Sequence, residues 1–231
     1  MQKTYKEALF DANIYLEELI KDVEIPQKLY KFQGFYSPAG IENEFWKRNI
    51  QGEFHFSLAS EFEDKADCNP DIDGKKVLEQ LRNSLQLISQ NCKKEKIDEI
   101  ISELENSMGN NINTIKKNFQ NNIRIGCFTD DFQNEEMWRK YADDFRGFCI
   151  EYDTDKEELF SNSMLPILYT QDTFDISIPY IDAILLACFP GKDDEDKIDK
   201  FEVYYKKILK MTYAPVFIKE TKWEFEKEYR M

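Results

Sequence analysis

Residues 223–231 read Trp223-Glu224-Phe225-Glu226-Lys227-Glu228-Tyr229-Arg230-Met231, with two carboxylates and a guanidinium at alternate positions. The interleaved aromatics predict an extended chain, in which successive side chains point to opposite faces. Glu226, Glu228 and Arg230 then share one face, and Phe225 and Tyr229 take the other. This polar row either forms a solvated face with a cross-paired Arg or lines a polar cleft.

Working back from this stretch, the chain alternates short strand and helix signals. Leu29-Tyr30-Lys31-Phe32 reads as a strand closed by Gly34, and Glu53-Phe54-His55-Phe56-Ser57 alternates polar and apolar residues as a second. Ile123 to Phe128, Phe148 to Tyr152 and Pro166 to Tyr169 supply further strands. Helical spacing is expected over 4–22, around Phe45 and Trp46, through Met137, Trp138 and Tyr141, over 180–189 and over 197–210. Between about 75 and 120 the texture changes. Val77, Leu78, Leu81 and Leu85, then Ile97, Ile100, Ile101, Leu104 and Met108, recur at helical spacing with charge around them. No Pro- or Gly-rich linker sets this segment off, so it reads as a helical insertion within one domain of residues 1–231. Strands without a βαβ rhythm, and without a Gly-rich phosphate loop, predict an α+β fold with a mainly antiparallel sheet.

Composition narrows the function classes. The 231 residues carry 31 Lys and Arg against 45 Asp and Glu, a formal charge of −14. Such a field repels a phosphate backbone, so tight, non-specific binding of duplex nucleic acid is not expected. Charges break up the first twenty residues, and the longest apolar run, Ala183 to Phe189, is too short for a bilayer, so no membrane span and a cytoplasmic location are expected. The five cysteines stand far apart and His55 is the single histidine, a pattern of buried thiols with no metal site. No Gly-x-Ser-x-Gly, His-Glu-x-x-His or Walker-type loop is present.

Four segments in order carry a resemblance. They are Leu29-Tyr30-Lys31-Phe32; Phe56-Ser57 with Glu61-Phe62-Glu63-Asp64; Met137-Trp138-Arg139-Lys140-Tyr141-Ala142-Asp143 leading into Gly147 to Asp153; and Lys219 with Trp223, Glu226, Glu228 and Arg230. Together they resemble the bacterial domain-of-unknown-function family 2971, from about Leu29 to the C-terminus. Where that family writes Phe-Asn-Asp-Pro-Phe-Glu, this chain has Phe62-Glu63-Asp64-Lys65-Ala66-Asp67.

More distantly, a cationic residue between aromatics on an early strand, a middle strand ending in Ser and a late Glu-x-Glu resemble the three-strand signature of ADP-ribosyltransferases. That resemblance implies a split antiparallel sheet and NAD as substrate. It places Tyr30, Lys31 and Ser57 against NAD, with Glu226 or Glu228 acting at the ribose as catalytic carboxylates. Trp138 and Tyr141 would stack on an NAD ring, and Arg230 would pair with an acid or hold the pyrophosphate. The substrate's second partner would be a macromolecular acceptor, in a toxin or anti-phage defence effector. The residues alone leave other readings open. Lys31 also reads as a snorkelling surface lysine, Met137, Trp138 and Tyr141 as core, and Ser57 as a strand-end cap. The acid row also suits a non-catalytic protein that latches to a basic partner, or a metal-dependent nuclease using Glu226, Glu228 and Asp64.

Overall fold

The computed structural model describes residues 4–11, 13–36, 42, 45–88, 94–156, 158–179, 181–182 and 195–231. The architecture is α+β, built on a five-stranded antiparallel sheet. Its strands are β1 (Lys28–Gln33), β4 (Cys127–Thr129), β5 (Phe148–Asp153), β6 (Leu165–Pro166) and β9 (Glu228–Arg230), in the order β5-β1-β4-β9-β6. Two small pairings stand beside it. Strand β2 (Ser57–Leu58) runs antiparallel to β3 (Arg124–Ile125), and β7 (Leu168–Tyr169) runs parallel to β8 (Ile218–Lys219).

Register fixes the two faces of the main sheet. Glu151 opposes Tyr30, Tyr30 opposes Thr129, and Thr129 opposes Glu228. Directly opposed residues share a face, so Glu151, Tyr30, Thr129 and Glu228 form one row across four strands. Helix α6 (Glu135–Tyr141) covers this side, with Phe32, Met137 and Ala142 buried together and Trp138 and Phe225 against them. The opposite face carries Leu29, Phe128, Tyr152 and Tyr229, and it packs on Phe160 and Met164 around helix α7 (Glu158–Ser163). Rings of Phe54, Phe128, Tyr152 and Phe160 meet there at centroid distances of 5.2 to 6.3 Å.

The segment read as helical forms α4 (Gly74–Ile88) and α5 (Lys94–Asn122). Val77, Ile97 and Ile101 are buried, Val77 belongs to the main core, and Met108, Ile112, Ile115 and Phe119 of α5 pack onto that core. Helix α3 (Phe45–Ile50) and the long α8 (Glu195–Tyr213) also fall where helical spacing places them. The helix expected over 180–189 lies almost wholly outside the described residues, as do Cys92 and Cys188. Cys68, Cys127 and Cys149 are free thiols.

Four expectations are corrected. The N-terminal stripe is two helices, α1 (Tyr5–Phe10) and α2 (Leu16–Lys21), because the Asp11 carboxylate accepts from the Asn13 backbone at 2.8 Å and offers the chain a turn in place of the next helical bond. Residues 53–56 are not a strand. Phe54 enters the aromatic cluster and His55 stacks on Phe45 at 3.9 Å, so the alternation there serves packing and the ladder begins only at Ser57. The segment from 123 to 128, expected as one strand, is broken at Gly126, whose backbone instead exchanges hydrogen bonds with Met231, and the second piece runs on to Thr129. The C-terminal stretch is a strand only over Glu228–Arg230. Thr221–Glu226 is a 3-10 helix, and Lys227, at φ 43°, turns the chain from helix to strand.

Candidate active site

The 3-10 helix Thr221–Glu226 and the left-handed Lys227 shape the site. Glu226 is not on the strand, yet the left-handed turn at Lys227 brings its carboxylate back to Glu228, and Lys219 of β8 holds both. The Lys219 ammonium pairs with Glu226 Oε2, with Glu228 Oε2 at 3.0 Å and with Asp67 Oδ2 at 3.5 Å. Arg230, fully buried, donates through Nε to Glu228 Oε1 at 2.7 Å and through Nη1 and Nη2 to the two Asp67 oxygens at 2.8 and 2.6 Å. It also donates to the Val216 carbonyl at 2.7 Å and to the Cys68 sulfur at 3.2 Å. Tyr169, opposite Lys219 in the parallel pair, accepts the Glu228 backbone N–H at 2.7 Å.

Three carboxylates and two cations thus sit inside the protein with one surplus negative charge. Buried charges survive only when paired and hydrogen-bonded, and the arrangement answers that demand group by group. The two glutamates respond in opposite directions. Burial pushes the Glu226 carboxyl up, with Lys219 opposing and the Glu228 charge adding to the rise. Burial would raise Glu228 too, but Arg230 and Lys219 overcome it and hold this carboxyl down at about 2. A pair of acids pushed apart in this way divides into a fixed negative charge and a group able to exchange a proton.

Among the described residues, Glu226 is the one of the two that hydrogen-bonds an exposed side chain. Tyr141, 37% exposed, donates its hydroxyl to Glu226 Oε1 at 2.5 Å. Beside it, the Lys140 ammonium lies 4.1 Å from the centre of the Trp223 ring, whose indole N–H donates to Asp64 at 2.5 Å. Trp138 donates to the Phe132 carbonyl at 2.7 Å and meets Phe32 edge-on at 5.0 Å. Tyr30 packs on Phe132 at 5.2 Å and donates to Glu151 at 3.2 Å.

Of the residues singled out from sequence, Glu226, Glu228, Arg230 and Tyr141 converge, and Trp138 and Tyr30 lie on the same side of the sheet. Lys31 and Ser57 do not join them. Lys31 alternates with Tyr30 and therefore projects from the opposite face, where its ammonium lies over the Phe128 ring at 5.1 Å and donates to the Cys127 carbonyl at 3.3 Å. Burial lowers its pKa. Ser57 belongs to the separate β2–β3 ribbon, opposite Ile125. Asp64 is taken by Trp223 and, at 3.4 Å, by Lys222, and among the described residues no group of His, Cys, Asp and Glu is arranged to hold a metal ion.

Sequence reasoning gave no role to Lys219, Asp67 or Tyr169. Lys219 stands in the segment that carries the family resemblance, seven residues before Glu226, but no pattern there assigns it a task, and Asp67 lies more than 150 residues upstream of both acids. Asp67 is nevertheless the sixth residue of the Phe62–Asp67 segment, where the resemblance to family 2971 puts a glutamate.

The comparisons with known proteins bear on the C-terminal part. Residues 137–231 match the family described as Protein of unknown function (DUF2971), a span that begins inside α6 and includes Tyr141, Lys219 and the two glutamates. No curated protein and no solved structure matches the chain. Among the described residues no helix is long and apolar enough to cross a membrane.

Proposed function

We propose that this chain, whose residues 137–231 match the family described as Protein of unknown function (DUF2971), is an NAD-using enzyme of the ADP-ribosyltransferase kind. The observation that carries this reading is the pair Glu226 and Glu228, adjacent, oppositely shifted, and joined to the surface by Tyr141. In the reaction the bond between nicotinamide and the ribose breaks, nicotinamide leaves with the bonding electrons, and an acceptor nucleophile bonds to the same ribose carbon and loses a proton. The acceptor is a macromolecule or water, so the protein either modifies a target or consumes NAD, as a toxin or defence effector does.

Glu226 is the acting carboxylate in this scheme. It stabilises the oxocarbenium-like centre and takes the acceptor's proton. Glu228 is the fixed charge beside it, and Arg230 and Lys219 keep it ionised. Tyr141 orients Glu226, and the aromatic side of the sheet, with Tyr30, Phe132 and Trp138, supplies ring faces for nicotinamide or adenine. Lys31 and Ser57 take no part in this version of the site.

One observation favours a second reading. Each cation and each acid of the network already has a protein partner, as a purely structural core would require, and the protein is then a non-catalytic binding module. Nicotinamide release separates the two. In the first reading the wild type releases nicotinamide from NAD, and Glu226→Gln stops the release while the melting temperature stays within a few degrees. Absence of release, together with no thermal stabilisation by NAD, leaves the second.

A further inference from the structure

At the end of α6 the backbone does something that L-residues avoid. Asp143, Asp144 and Phe145 occupy the left-handed region in succession, at φ 50°, 52° and 64°. Aspartate tolerates that conformation, but phenylalanine adopts it rarely and at a conformational cost. The loop is locked there by backbone bonds from Asp144 to the Arg139 carbonyl, Phe145 to the Trp138 carbonyl and Gly147 to the Ala142 carbonyl, at 3.2, 3.2 and 2.7 Å. Gly147 is pressed so closely on β1 that a Cβ would stand 2.3 Å from the Gln33 oxygen.

The strain is not repaid by burial. Phe145 is 50% exposed and lies parallel to Trp138, at 6.2 Å with 6° between the planes. Phe132 and Tyr141, on either side of Trp138 in sequence, are also exposed. Strain that holds a large apolar ring in water points to a use for the ring.

Charge around the platform names the kind of partner. From Asp130 to Arg146 there are six acids (Asp130, Asp131, Glu135, Glu136, Asp143 and Asp144) and three bases. Arg139, Lys140 and Arg146 each pair with an acid, at 3.0, 2.8 and 2.8 Å. Asp131 pairs with Lys227 at 3.0 Å, and among the described residues Asp130, Glu136 and Asp144 have no ion-pair partner. The chain already shows what the ring accepts, since the Arg139 guanidinium sits 5.8 Å from the centre of Phe145. A guanidinium stacks on aromatic faces and matches carboxylates with two N–H groups at once, which an ammonium does not.

We propose that the Trp138–Phe145 platform and its acidic rim are a docking surface for an arginine-bearing segment of a partner protein. The proposal does not depend on NAD chemistry, and it moves the basic-partner contact from the buried acids to an exposed surface.

The test is calorimetric titration of the full chain, at low salt, with a synthetic octa-arginine peptide, with octa-lysine as comparator. The wild type is expected to bind octa-arginine more tightly than octa-lysine. Phe145→Gly, which fits the left-handed backbone without strain, is expected to weaken octa-arginine by about tenfold, with a melting temperature equal to or above the wild type. A control, Glu103→Gln on the exposed side of α5, is expected to bind as the wild type does. Unchanged binding by Phe145→Gly, or no preference for arginine, overturns the proposal. So does a fall in melting temperature for Phe145→Gly, which makes the ring part of the fold. Sedimentation showing a dimer that Phe145→Gly dissolves assigns the platform to a second copy of the chain and overturns it as well.

Discussion

Arg230 ties three remote parts of the chain together, for its guanidinium holds Asp67 by both oxygens, Glu228 from the same strand and the carbonyl of Val216. A buried ion pair contributes little relative to an apolar replacement of both partners, but removing one partner strands the other in a medium that cannot solvate it. Arg230→Met is therefore expected to cost about 3–5 kcal/mol, measured by denaturant unfolding. The two glutamates should separate in the same assay. Glu228→Gln removes the carboxylate that both Arg230 and Lys219 use, and is expected to destabilise strongly. Glu226→Gln removes a charge that burial already disfavours and should alter stability much less. Equal losses for the two would mean that the acids are equivalent, against the roles proposed for them.

Among the elements, α5 offers the cleanest measurement. Gly109 lies in the interior of this helix, and a Cβ added there would meet no atom within 4 Å, so nothing opposes a methyl group. Gly109→Ala is expected to stabilise by about 1 kcal/mol, read as a higher unfolding midpoint. Gly147→Ala should do the reverse, because its Cβ would collide with the Gln33 and Ala142 carbonyl oxygens. Helices α4 and α5 were legible because their apolar residues recur at helical period, and Val77 of α4 and Ile97 and Ile101 of α5 are buried. The stretch from 53 to 57 has an equally clear alternation, yet its side chains go to Phe45 and to the aromatic cluster, and period alone does not say what a residue packs against. The C-terminal stretch failed in a similar way. Its acids do meet, but through a 3-10 turn and a left-handed Lys227 that no pattern of residue types announces.

For the whole molecule, pH is the natural probe. Glu228, held at about 2 against an ordinary 4.5, stabilises the fold fully above the ordinary value, and this contribution disappears as the pH falls toward 2. Glu226 has the opposite sign, since its raised carboxyl makes the ionised form the costly one and protonation relieves that cost as the pH falls through the raised value. The expected result is an acid limb between about pH 4.5 and 2 that Glu226→Gln retains and Glu228→Gln flattens, followed by thermal unfolding across that range.

Residue order by itself determined the fold class and the helical character of the segment between about 75 and 120, because periodicity and turn residues act locally and are written in neighbouring positions. It also singled out Glu226, Glu228, Arg230 and Tyr141. Only the tertiary structure decided that Lys219 and Asp67 complete their network, that Lys31 faces the other side of the sheet and that Ser57 belongs to another ribbon. Strand register sets those outcomes, and register is a relation between distant segments: a shift of one residue moves a side chain to the opposite face.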